Sequence, residues 1–206
     1  PSERHINAFL QGLADYGRPG HYFQRQIARW GSQWGQSRTH DNPALDRLLG
    51  WLAAHVPADD ARALVHGDFK LNNLMFHPHE PRVIAVLDWE LSTLGHPLAD
   101  VAFNCTAWRT TAAEFGGIRG LALATLGIPT EGEYLAHYRA CGGDTSALSP
   151  FHFGFAFMRW AVIFEGIAAR AQRGNAVHAN AAEVGALAAA MARRGLEALN
   201  GDPLPL

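Results

Sequence analysis

The spacing of apolar and polar positions divides the chain into helical and strand-like stretches. Residues 1–19 carry a mixed pattern and end in the breaker Gly17-Arg18-Pro19-Gly20. From His21 to about Gln36, Tyr22, Ile27, Trp30 and Trp34 recur at three- to five-residue steps, with Arg25, Arg29 and Gln33 off the stripe. That period predicts a helix whose tryptophans pack in the core and do not stack on a ligand. Asn42-Pro43, a cap followed by proline in the first turn, opens a second helix through Leu45, Leu48, Leu49, Leu52 and Val56, ended by Pro57. The period then shortens. Leu64-Val65, Leu74-Met75-Phe76 and the run Val83 to Leu87 are short and rich in β-formers, and predict three buried strands. Helical patterns return from Pro97 to about Trp108 and from Ile118 to Leu126, the latter ended by Gly127. Thr130 and Glu133 form a capping-box pattern for a helix to Cys141. Ser149-Pro150 opens a long apolar helix to about Arg173, and Asn180 with Glu183 opens an alanine-rich last helix to about Leu199. No internal repeat or low-complexity linker interrupts the pattern. The expected class is α+β: mostly helix, wrapped around one small sheet.

Composition narrows the function. A hydrophobic fraction of 48% with 17% charged residues describes an ordinary soluble protein, and a formal charge of −2 makes no case for nucleic acid or an anionic membrane. No apolar run approaches the roughly 18 residues of a membrane span, and the N-terminus has no signal-peptide pattern. Cys105 and Cys141 stand alone without a CxxC, which indicates neither a disulfide framework nor zinc. They read as half-buried thiols in a reducing cytosol, so the expected location is cytoplasmic. The chain opens at Pro1 without an initiator Met, which fits a fragment or a processed product. Of 17 basic residues one is lysine, and that lysine is Lys70, inside the loop between the first two strands.

That loop holds too much polarity for a connection. It carries His66, Gly67, Asp68, Lys70, Asn72 and Asn73, and Asp88 follows the third strand directly. Two acids and an amide delivered by one β-unit suit a place where a metal and a phosphate meet. His66-x-Asp68-x-x-x-x-Asn73 places a carboxylate and an amide five residues apart in a loop leading into a strand, the layout of phosphoryl transfer to a hydroxyl. Asp68 would take the acceptor's proton, the Asn73 amide oxygen would reach a Mg²⁺ ion, and Asp88 would complete its protein ligands. Mg²⁺ prefers such hard oxygens and keeps its other positions for water and nucleotide phosphates. An HxD tripeptide alone is common by chance; the pair with its flanking strands is specific. Lys70 either lies against the transferring phosphate or is a surface lysine, and Glu90 either supports the metal ligands or faces solvent. His77 and His79 flank Pro78 in an exposed turn; they and His21, His40, His55 and His178 read as ordinary surface or packing residues.

HGDFKLNN followed by AVLDWELSTLGHPLADVAF resembles the C-terminal lobe of the aminoglycoside phosphotransferase and choline kinase superfamily, a branch of the protein-kinase-like fold. Within it the chain most resembles the phosphotransferase domains related to those fused to certain acyl-CoA dehydrogenases. The segments Tyr22 to Trp30 and Phe157 to Gly166 carry the same likeness. The resemblance implies Asp68 as catalytic base and Asn73 and Asp88 as metal ligands, with ATP as phosphate donor. It implies that His66 braces the catalytic loop and that Asp100 anchors it from below. His96 stands where the family usually has Asp, a change expected to affect packing and not catalysis. The implied organisation is a single C-lobe over 1–206: a helical lead-in at 1–60, a catalytic and metal-binding core at 61–108, and a helical acceptor-binding subdomain at 109–206.

A kinase of this fold also needs an N-terminal lobe with a phosphate-covering hairpin and a strand lysine. The first 60 residues read as helices without a glycine-rich hairpin, so that lobe is expected to be absent from this chain, and the fragment alone to be inactive. Residues 109–206 hold eight acids and eight arginines. A polycationic aminoglycoside would call for an acidic excess, so the expected acceptor is a hydroxylated metabolite, such as a hydroxyacyl thioester. Two other readings stand beside this one: a non-catalytic, pseudokinase-like binding or regulatory module, and a metallohydrolase built on His66, Asp68 and Asp88.

Overall fold

The computed structural model describes residues 20–59, 61–174 and 181–200; the Gly17-Arg18-Pro19 breaker, His178, Asn180 and Asp202 lie outside them. Helix α1 (Tyr22–Ser37) buries Tyr22, Phe23, Ile27, Trp30 and Trp34, the stripe its spacing predicts. Helix α2 (Pro43–Ala54) has Pro43 in its first turn, and the Asn42 side chain accepts from the Leu45 N–H at 3.1 Å. This satisfies one of the donors that a helix start leaves open. The helix stops short of Val56, because Pro57 drives the residue before it out of helical backbone.

Four short strands follow among the described residues: β1 (Ala63–Val65), β2 (Leu74–Phe76), β3 (Val83–Val86) and β4 (Thr93–Gly95). They do not form the one sheet expected. They make two separate antiparallel ribbons, β1 with β4 and β2 with β3. The division follows from the chain after β3, where Asp88 takes a left-handed backbone (φ 65) and Trp89–Leu91 form a 3₁₀ turn. The chain is thereby turned back toward β1, and Leu94 pairs with Leu64. The strands are also less buried than predicted: Met75, Phe76, Val83 and Ile84 are 44–51% exposed.

Helix α3 (Leu98–Arg109) leaves β4 through His96-Pro97, and Leu98, Ala99, Val101, Ala102, Phe103 and Cys105 are buried along it. The helix expected over 118–126 is reduced to one turn, α4 (Leu123–Leu126), because Gly120 takes φ +85 and breaks the run. Helix α5 (Glu131–Ala140) opens with the predicted capping box. The Glu133 N–H donates to Thr130 Oγ1 at 3.2 Å, and the Thr130 N–H donates to Glu133 Oε2 at 2.8 Å. Helix α6 (Pro150–Gln172) is the centre of the core and packs on α1 and α3. It also packs on α7 (Ala181–Ala186) and α8 (Ala188–Leu199), which replace the single last helix expected and meet at Leu187. By length and composition α6 could cross a membrane, but 78% of its apolar window is buried inside the chain. The thiols are not alike: Cys105 is fully buried, which pushes its pKa far up, and Cys141 is exposed.

Candidate active site

The chain leaves β1 and turns sharply at Gly67, which has φ +83 and whose hypothetical Cβ would lie 2.6 Å from the Leu91 carbonyl oxygen. No other residue fits that turn without strain. Asp100, in the first turn of α3, receives the loop. Its Oδ2 accepts from the His66 N–H at 2.6 Å and its Oδ1 from the Gly67 N–H at 3.0 Å. The buried His66 ring joins the loop to the end of β3. Its Nε2 lies 2.8 Å from the Leu87 carbonyl, and its Nδ1 accepts from the Asp68 N–H at 3.2 Å. These partners assign the ring proton to Nε2. Trp89 lies over the ring, with centroids 4.7 Å apart.

Asp68 sits partly exposed at the crest of the loop. The Asn73 side-chain nitrogen donates to the Asp68 carbonyl at 2.8 Å and to its Oδ2 at 3.0 Å. Lys70 Nζ pairs with the same Oδ2 at 2.8 Å. Asn73, in the 3₁₀ turn Leu71–Asn73, is buried, and its carbonyl accepts from the Leu87 N–H at 2.8 Å. That bond brings Asn73 beside Asp88, the next residue. Asp88 is exposed and makes no capping bond to the turn that follows it. The fold thus brings together His66, Asp68, Lys70, Asn73 and Asp100, with Asp88 at the rim. Glu90 is exposed, and among the described residues no hydrogen bond or ion pair joins it to the loop.

Whether these residues fit a magnesium ion depends on their free oxygens. Both bonds from the Asn73 amide nitrogen go to Asp68, which leaves the amide oxygen uncommitted. The Asp88 carboxylate is likewise uncommitted by the local turn. Two hard oxygen donors on adjoining segments, Asn73 buried and Asp88 at the rim, fit an ion that takes its remaining ligands from phosphate and water. Among the described residues no group of three His, Cys, Asp or Glu side chains could hold a metal. For the metallohydrolase reading built on His66, Asp68 and Asp88, both ring nitrogens of His66 are engaged within the protein.

The residue that sequence reasoning missed is Arg159. It lies on α6, is 5% exposed, and donates from Nη2 to the Gly67 carbonyl. Its guanidinium lies over the rings of Phe103 (4.7 Å) and Trp30 (5.6 Å). Burial pulls its pKa below the ordinary arginine value, against the attraction of Tyr22, Asp100 and Asp68. Burial also pushes the Asp100 carboxyl up, while the His66 and Gly67 N–H groups and Arg159 pull it back. The available signal was a lone arginine within the apolar run Phe151 to Ala169.

His96 is buried against Phe23 and His152, and its Nδ1 accepts from the Leu98 N–H at 3.3 Å. A cleft of about 660 Å³ opens past the far end of α3, between Trp108, Ile118–Thr125 and the start of α5. Asp68 is not among its lining residues.

Comparison with known proteins gives the family of the chain. Residues 5–124 match the model of the phosphotransferase enzyme family. Acyl-CoA dehydrogenase family member 10 of Mus musculus is 41% identical over 183 residues, covering 87% of this chain and 17% of that protein. Acyl-CoA dehydrogenase family member 11 of Gallus gallus is 38% identical over 192 residues, covering 90% and 25%. A crystal structure from Ralstonia eutropha JMP134, provisionally described as an aminoglycoside phosphotransferase, superposes with a TM-score of 0.84 at 46% identity, over 92% of this chain and 59% of that one. The chain therefore spans a quarter or less of these two curated relatives. It has a kinase-like fold of helices around small β-ribbons, and it belongs to the phosphotransferase enzyme family.

Proposed function

We propose that the chain carries the catalytic loop of an ATP- and Mg²⁺-dependent phosphotransferase acting on a small-molecule hydroxyl. The observation that carries this reading is the setting of Asp68. Its loop is anchored on both oxygens of Asp100, and its carboxylate is oriented by Asn73 and Lys70 while remaining partly exposed. A carboxylate so placed can accept the proton of an incoming hydroxyl. Asn73 and Asp88 would hold Mg²⁺, which when bound neutralises charge on the nucleotide phosphates. Lys70 pairs with the base at 2.8 Å, where a cation would lie against the transferring phosphate. His66 ties the base to the metal-binding end of β3.

For the acceptor, the equal number of acids and arginines over residues 109–206 supports a neutral or anionic molecule over a polycationic one. The acyl-CoA dehydrogenase names of the relatives support a hydroxyacyl thioester ahead of an aminoglycoside.

The test is Asp68→Asn in the full-length protein with Mg²⁺–ATP and a panel of hydroxyacyl thioesters and aminoglycosides. Transfer should fall by about a hundredfold to ten-thousandfold, the usual share of a general base, with the fold retained. Turnover close to that of the parent protein would sink the assignment.

A further inference from the structure

We infer that Arg159 and Trp160, consecutive on α6, are positioning residues that hold the two ends of the segment Gly67 to Lys70 and so fix Asp68 between them. The inference rests on the reading of Asp68 as the base.

The Arg159 end is a buried cation whose one hydrogen bond among the described residues goes to the loop. Nη2 donates to the Gly67 carbonyl, and Nη1 has no hydrogen-bond partner among the described residues. A buried, half-satisfied guanidinium is costly, and an apolar side chain of that volume would pack there at least as well. What an apolar residue could not do is grip the Gly67 peptide. Asp100 takes the N–H of the same residue. One glycine is therefore held by opposite charges, a half-buried carboxylate at its nitrogen from α3 and a buried guanidinium at its carbonyl from α6. The Phe103 ring of α3 supports this guanidinium at 4.7 Å and also stacks on Trp160 at 4.8 Å and 15°.

The Trp160 end is a seat for Lys70. Lys70 Nζ lies 6.0 Å from the Trp160 ring centre, within reach of a cation–π attraction, and 2.8 Å from Asp68 Oδ2. Trp160 is itself fixed on several sides. Phe103 and Phe164 stack on it, Phe115 tilts against it at 5.3 Å, and its Nε1 donates to Thr106 Oγ1 at 3.2 Å. A lysine held by a rigid ring is a rigid neighbour for the carboxylate. Asp68 then depends on α6 from both sides, although α6 supplies no group that touches the reacting atoms.

The test uses the full-length protein and two readouts that need no acceptor. Arg159→Met should speed backbone amide exchange over residues 64–73 about tenfold, the worth of one charge-assisted bond, with exchange in α2 unchanged. Trp160→Leu should speed acetylation of Lys70 about threefold, as loss of an exposed cation–π contact implies. Lys70 is the only lysine in these 206 residues, so peptide mapping reports it cleanly. If Arg159→Met does not fold, Arg159→Lys, which keeps a donor, should stay near parent exchange, and the Trp160→Leu result stands alone. Unchanged exchange at 64–73, exchange raised equally throughout α1 and α6, or unchanged Lys70 acetylation would each overturn the inference. Phosphate release from Mg²⁺–ATP with water as acceptor separates it from the reading beneath it. Loss in Asp68→Asn while neither readout moves rejects the clamp and keeps the base. Movement of both readouts with undiminished release in Asp68→Asn keeps the clamp and rejects the base.

Discussion

Asp100 accepts from two successive backbone N–H groups, one on each carboxylate oxygen. An amide of the same shape offers one acceptor oxygen and turns an N–H toward the second donor, so one buried N–H loses its partner. It also removes one of the two carboxylates, Asp100 and Asp68, whose charge offsets the burial of Arg159. Against these losses stands relief of the burial that pushes the Asp100 carboxyl up. The unsatisfied donor and the weaker offset of the Arg159 charge should win, and Asp100→Asn should lower unfolding free energy by about 1–3 kcal/mol. Urea denaturation at pH 7 measures it; parent stability would show that the anchor carries little. The residues of this loop were legible in the sequence because they lie close along it. His66, Asp68, Lys70 and Asn73 fall within eight positions, and their spacing alone limits where each can point.

Elements show a sharper divide. Helix starts were readable because a cap acts within one turn: Asn42 reaches Leu45, and Thr130 reaches Glu133. Strand β4 was not readable, since Thr93-Leu94-Gly95 is too short to show a period, and its pairing depends on the left-handed backbone of Asp88. The start of α6 holds a residue whose protonation is tied to folding. His152 is buried among Phe23, Phe151 and His96, and its Nδ1 accepts from the Ser149 N–H. Burial, helped by His96 and opposed by Asp59, lowers its pKa to about 4. The unfolded chain, with its pKa near 6.5, binds this proton first as pH falls. Stability from this group is thus complete above about pH 6.5 and is lost as pH falls toward 4. Between pH 7 and pH 5 the loss should be about 2 kcal/mol. His152→Gln, which keeps an acceptor for Ser149, should flatten that part of the profile in denaturation experiments; an unaltered slope would place the pH dependence elsewhere.

At the scale of the whole molecule, the unreadable part of the site is the part that tertiary packing supplies. Arg159 meets Gly67 across 92 positions, and Glu165, fully buried on α6, accepts from the Thr39 N–H and hydroxyl across 126. Periodicity marks such residues only as polar intrusions in an apolar run; what they touch is set once α6 packs. The seat of the β1–β4 ribbon on the helical body is of the same kind. A Cβ at Gly95 would lie 2.5 Å and 2.8 Å from ring atoms of Tyr22 and 2.9 Å from Val65 Cγ2. The aromatic ring is itself buried and cannot yield as a flexible chain end would. Gly95→Ala should therefore force α1 and the ribbon apart and destabilise by about 1–3 kcal/mol. Because β4 leads through His96-Pro97 into the turn that carries Asp100, the same change should slacken the loop and lower turnover. Gly50, exposed within α2 with nothing within 4 Å of its hypothetical Cβ, provides the opposite case. There alanine removes only unfolded-state freedom and should stabilise by about 0.5–1 kcal/mol. Denaturation midpoints moving in opposite directions for the two variants would show that close approach of α1 to the ribbon, and not glycine as such, sets the requirement at Gly95. A shift of the same sign in both would remove that contact from the account of how the loop is held.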